Sequence, residues 1–201
     1  MIYRVIQGFI VALLSFSILS FIRAVDLEHQ LPQKTSWLSI GIFFMAGLVI
    51  EPKESITTIL FLIFMSYLGA MAYTDWYTKH VYTFFSLFVS MIGYVSLLLN
   101  SNRIEFAKLL FFISIVLFCW LLHTYAFGDV ELFFAMTPYG VLLAEQYQAD
   151  VFFLLLFLFC LSIIFGILGW IIERVRKKKI GEHFAIAPGI YAVFFILFAF
   201  A

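Results

Sequence analysis

The chain has 201 residues, of which 65% are hydrophobic, 20% aromatic and only 12% charged, and its mean hydropathy is +1.09. A soluble domain is about half apolar and about a quarter charged, and a chain this short has too much surface for its volume to bury such an excess. The composition therefore weighs heavily against a soluble enzyme, a secreted disulfide scaffold, a disordered tail or a nucleic-acid binder, and it makes the bilayer the solvent. Twelve basic residues balance twelve acidic ones, so no net field points to a polyanionic partner.

Apolar runs separated by short polar breaks predict spans at Ile2–Ile22, Trp37–Ile50, Ile56–Thr74, Val81–Leu99, Ile104–Tyr125, Val130–Gln146, Val151–Ile172 and Phe184–Ala201. Several approach the roughly 20 residues that an untilted helix needs. Trp37–Ile50 is short and Val130–Gln146 carries Pro138, Gly140 and Glu145, so re-entrant or tilted geometry is open for both. Eight crossings are expected, with six or seven as alternatives. Barrel strands would alternate over about ten residues. These runs are longer and apolar all round, which predicts an all-α, polytopic transmembrane helix bundle in a single domain, 1–201.

The first run has one early basic residue, Arg4, and no Ala-x-Ala site before Arg23, so a retained helix is expected rather than a cleaved signal. Cys119 and Cys160 each lie inside an apolar run and no CxxC occurs, which makes them small core hydrophobes. The 27 phenylalanines are packing and lipid-facing mass.

Basic residues set the expected orientation, because Lys and Arg are retained in cytoplasmic loops. Arg174, Arg176, Lys177, Lys178 and Lys179 form the one strong cluster, which places that loop inside. Walking back through eight crossings puts Arg23–Ser36, Asp75–His80 and Ala126–Asp129 inside too. Arg23, Lys34 and Lys79 then join the cluster, while Arg4, Lys53, Arg103 and Lys108 fall outside.

Carboxylates at the membrane edge are expensive and mark functional candidates. Asp75 stands in Ala72-Tyr73-Thr74-Asp75-Trp76-Tyr77, where the third run meets the expected cytosolic interface. Asp129 stands in Ala126-Phe127-Gly128-Asp129-Val130-Glu131, between the fifth and sixth runs. Taken singly, each has a plain structural reading: Asp129 as a helix N-cap behind a turn at Gly128, and Asp75 as a charge beside an aromatic belt. As a pair they are chemically richer. Two facing carboxylates share a proton, so one can deprotonate water while the other donates to a carbonyl or leaving amine. The sequence has no HExxH, no GxSxG and no phosphate loop, which leaves the aspartate pair as its one plausible catalytic set.

Both stretches resemble the catalytic stretches of the type IV prepilin peptidases, a branch of the GxGD membrane aspartyl proteases. Asp75-Trp76-Tyr77-Thr78-Lys79-His80-Val81-Tyr82 has the shape of the first site, with Val81-Tyr82 in place of Ile-Pro. The second, usually Gly-x-Gly-Asp-x-Lys-Leu, reads Ala126-Phe127-Gly128-Asp129-Val130-Glu131-Leu132 and keeps Gly128, Asp129 and Leu132. Phe184-Ala185-Ile186-Ala187-Pro188-Gly189 is similar to the proline-containing approach to the family's last helix. The resemblance covers about the last two-thirds of the chain. Two departures stand out: the first glycine of GxGD is Ala126, and Glu131 reverses the charge of the usual lysine. Arg23–Ser36 also lacks the paired Cys-x-x-Cys motifs of the long loop in many members.

The resemblance implies cleavage of pilin-like precursors, without methylation, at the cytoplasmic face of the cell membrane. Such substrates have a short basic leader, a glycine and an apolar helix, and the glycine lets the backbone approach the acids without a clash. It implies Asp75 and Asp129 as exchangeable base and acid, Gly128 permitting close approach, Pro188 shaping the floor and Glu131 tuning the pair or facing the cytosol. It implies no metal and no cofactor, with membrane lipid and the precursor as partners and no nucleic acid. His80 and His123 are expected as interfacial anchors, and Arg174–Lys179 as a topology and headgroup element. Other readings are a non-catalytic scaffold for pilin-like substrates, a small proton- or ion-coupled transporter using the two aspartates, and a presenilin-like GxGD protease. Thr74-Asp75 and Pro188-Gly189-Ile190 match the last of these poorly.

Overall fold

The computed structural model of the chain describes residues 2–26, 31–51, 55–100, 103–121, 127–177 and 185–200. These form eight helices: α1 (Ile2–Val25), α2 (Trp37–Val49), α3 (Ser55–Thr78), α4 (Thr83–Asn100), α5 (Arg103–Leu121), α6 (Phe127–Tyr147), α7 (Val151–Lys177) and α8 (Ala187–Phe200). Each expected apolar run holds one helix, and no strand occurs among the described residues. The fold is all-α. Ile2–Val25, Ile56–Thr78 and Val151–Ile172 are long and apolar enough to cross a membrane, while Trp37–Val49, Thr83–Leu99, Ala107–Leu121 and Ala187–Ala199 are apolar but shorter. Large apolar side chains such as Phe9, Phe84, Leu98 and Phe157 stay exposed. In a membrane protein these face lipid, whose tails are as apolar as they are.

The helices gather into two compact units, residues 1–80 with 162–201, and residues 81–161. In the first unit α3 is the enclosed helix, with 78% of its apolar window buried. It meets α8 through edge-on ring pairs, Phe61–Phe198 at 4.9 Å and Phe64–Phe194 at 4.8 Å, the geometry that aromatic quadrupoles favour. Ser15 Oγ donates to the Ser66 carbonyl at 3.0 Å and so ties α1 to α3. Tyr191 Oη donates to the Ile42 carbonyl at 3.3 Å and ties α8 to α2. The α1–α2 pair is antiparallel: Arg4 pairs with Glu51 at 2.9 Å near one end, and Arg23 Nη2 donates to Thr35 Oγ1 at 2.7 Å near the other.

In the second unit α6 packs against α4 and α5. It runs unbroken through Pro138 as one continuous helix of 21 residues. The proline has no N–H for the Phe134 carbonyl, and Tyr94 Oη donates to that carbonyl instead, at 3.3 Å. Tyr139 Oη reaches the Val89 carbonyl at 3.0 Å. Phe133 and Phe159 stack with centroids 4.7 Å apart. Asp150 opens α7 by accepting from the Phe152 and Phe153 N–H groups at 3.0 and 3.2 Å, and Lys108 pairs with it at 2.7 Å.

Candidate active site

Asp75 lies in the last turn of α3, where the helix dipole disfavours a carboxylate, and its residue is only 5% exposed. What compensates is α8. Asp75 Oδ2 accepts a hydrogen bond from the Ala187 N–H at 2.9 Å, across 112 positions of chain. The Ile190 N–H to Ile186 carbonyl bond, 3.1 Å, lies in the first turn of α8, so the Ala187 N–H is one of the donors that a helix cannot satisfy itself. Pro188, next in the chain, has no N–H to offer. The carboxylate thus caps α8 from outside, and Pro188 sits beside it. Gly189 lets this end of α8 approach α7, because a Cβ there would run into the Ser162 carbonyl oxygen.

Aromatic rings surround this end of α3. Tyr73 and Tyr77 lie 4.7 Å apart, the Arg23 guanidinium is 6.0 Å from the Tyr73 ring centroid and Lys79 Nζ is 5.6 Å from that of Trp76. The helix stops at Lys79, whose N–H bonds the Asp75 carbonyl at 3.0 Å with φ at +58°. A groove of about 400 Å³ opens alongside, walled by Leu38 and Ile42 of α2, Ala72 and Trp76 of α3, and Pro188 and Tyr191 of α8.

In the second unit, Asp129 is the third residue of α6 and is partly buried. The helix already runs from Phe127, so the reading of Asp129 as the N-cap is corrected: it stands inside the first turn, where the helix dipole favours an acid. At Gly128 a Cβ would lie 3.2 Å from Val81 Cβ, and the missing side chain lets the segment ahead of α4 pack on the start of α6. Glu131 Oε1 accepts from Thr83 Oγ1 at 3.0 Å, while its Oε2 is buried with no hydrogen-bond partner among the described residues. Thr83 escaped the sequence reading because a threonine at the head of an apolar run looks like any helix start.

Asp75 and Pro188 therefore come together in the first unit, and Gly128, Asp129 and Glu131 share the opening of α6 in the second. His80 is exposed. His123, Ala126, Lys178, Lys179 and Phe184 lie outside the described residues. The Ala187 N–H restrains the Asp75 carboxylate through one oxygen, and positioned proton transfer relies on such restraint. No family model, no curated protein and no solved structure matches this chain.

Proposed function

We propose that the protein is a membrane aspartyl endopeptidase that removes the basic leader of pilin-like precursors at the cytoplasmic membrane face. The observations that carry this reading are two contacts of the first stretch bearing the resemblance, one within each unit. Asp75 of the first stretch bonds Ala187 of the third, one residue before Pro188. Within the other unit, Val81, where the family has isoleucine, packs on Gly128 of the second.

In this reading Asp75 and Asp129 share one proton. The ionised acid takes a proton from water as the water attacks the carbonyl of the leader's terminal glycine. The other acid donates to the departing amine nitrogen, the C–N bond breaks and the proton inventory is restored. The decisive assay is cleavage of a prepilin-like reporter by detergent-purified protein, with Asp75→Asn and Asp129→Asn as controls. Cleavage lost in both folded variants supports the peptidase, and cleavage surviving either one removes the dyad.

One observation favours the non-catalytic scaffold as a second reading. The hydrogen bond from Ala187 is by itself a sufficient structural reason to bury an acid at position 75. Absence of cleavage across a panel of leaders, by well-folded wild type, would select it.

A further inference from the structure

The groove between α2, α3 and α8 has a chemistry that the peptidase reading does not use. Its walls are apolar or aromatic, and its wall residues on α3 run from Gly69 to Tyr77, about 12 Å at the helical rise of 1.5 Å per residue. Polar groups collect at one end. There Ser36 caps α2 through the Ser39 N–H, and the two hydroxyls lie 2.8 Å apart. Trp37 and Tyr77, 89% and 53% exposed, flank the same end. Amphipathic rings so exposed settle at headgroup level in a bilayer, with the apolar length of the groove running inward from them.

Two cations stand at this mouth, each stacked on a wall of the groove: Arg23 on Tyr73 and Lys79 on Trp76. Arg23 spends Nη2 on Thr35, and its Nε is buried without an acceptor among the described residues. Lys79 holds a left-handed backbone, φ +58°, which glycine would adopt without strain. The lysine is thus kept where its backbone is ill suited, with its ammonium over Trp76.

We infer that this groove binds one anionic membrane phospholipid, with an acyl chain between α2, α3 and α8 and the phosphate at Arg23 and Lys79. An apolar slot ending in two cations at headgroup depth is complementary to such a lipid. A leader peptide rich in lysine and arginine would meet like charge at the same mouth. The site stands whether or not the protein is a peptidase.

The test is native mass spectrometry of the full-length protein in detergent micelles, titrated with palmitoyl-oleoyl phosphatidylglycerol or the matching phosphatidylcholine. One phosphatidylglycerol should be retained about tenfold more tightly than phosphatidylcholine. Arg23→Gln with Lys79→Gln should abolish that preference. Ile42→Trp, at a wall residue that is 45% exposed and accepts bulk from the open side, should lower retention of both lipids. Lys79→Gly removes the ammonium and relieves the backbone, so weaker lipid retention without a lower unfolding temperature separates charge loss from misfolding. Millimolar inorganic phosphate should leave the bound lipid in place. Equal retention of the two lipids, or retention unchanged in the double variant, would overturn the inference. So would a photo-crosslinker at position 39 that captures the reporter peptide or a second copy of the chain in place of lipid.

Discussion

Asp75 and Asp129 occupy opposite ends of their helices, and the difference sets what each needs. Asp129 opens α6, partly exposed, where the dipole already favours an acid. Asp75 closes α3, where the dipole opposes one, and is almost fully buried. It is stable there because a distant helix presents an unsatisfied N–H to it. At a helix start the dipole itself favours a carboxylate, whereas one at a buried helix end needs a tertiary partner.

The largest expected effect treats the two as equals. Asp75→Asn and Asp129→Asn should each reduce reporter cleavage about 10²–10⁴-fold, the usual contribution of a general acid or base. A loss at one position alone would break the pair. Stability should separate them. Asp75→Ala strands the buried Ala187 N–H and should cost about 1–3 kcal/mol. Asp129→Ala removes a favourable dipole interaction, about 0.3–1 kcal/mol. Urea unfolding in micelles measures both, and equal costs would show that the α8 cap is unimportant.

The glycines beside the two acids extend the contrast. Gly189→Ala drives a Cβ into the Ser162 backbone and should destabilise by about 1–3 kcal/mol. Gly128→Ala meets only the Val81 side chain at 3.2 Å. That neighbour has a few tenths of an ångström to give, and alanine's helix preference of up to about 1 kcal/mol works the other way. Its net effect should lie near zero in the same unfolding assay.

The smallest effect concerns Asp150, a second aspartate at a helix start and the exposed counterpart of Asp129. The hydrogen bond from Lys108 above all, then the Phe153 N–H, holds its carboxyl below the usual value, which is about 3.9 for an aspartate. A group lowered on folding stabilises above its unfolded value and loses that contribution as pH falls through its folded value. The difference in unfolding temperature between wild type and Asp150→Asn should therefore be small at neutral pH, begin to shrink as pH falls below about 4, and vanish only below the folded value. High salt should shrink it as well, since the pair is exposed.

Much of this architecture was legible in advance. Long apolar runs with short polar breaks place the eight helices within a few residues, because in lipid a spanning backbone must bond to itself. The same reading fell short where a contact partner is remote or chemically ordinary. Nothing in Tyr73-Thr74-Asp75-Trp76 says that Ala187 will donate to the acid, and Thr83 carries no mark of its bond to Glu131. Pro138 left re-entrant or tilted geometry open for its run. The helix continues because Tyr94, 40 residues away, supplies the donor that the proline lacks.

Composition and apolar runs alone determined that this is an all-α protein with helices apolar and long enough to cross a membrane, and they set Asp75 and Asp129 apart. Both follow from transfer free energies that depend on residue type and on little else. Tertiary structure decided which acid is buried, which helix satisfies it, and where an apolar groove meets two cations. Those outcomes depend on which helix ends meet, and hydropathy, being summed along the chain, contains no information about meetings across it.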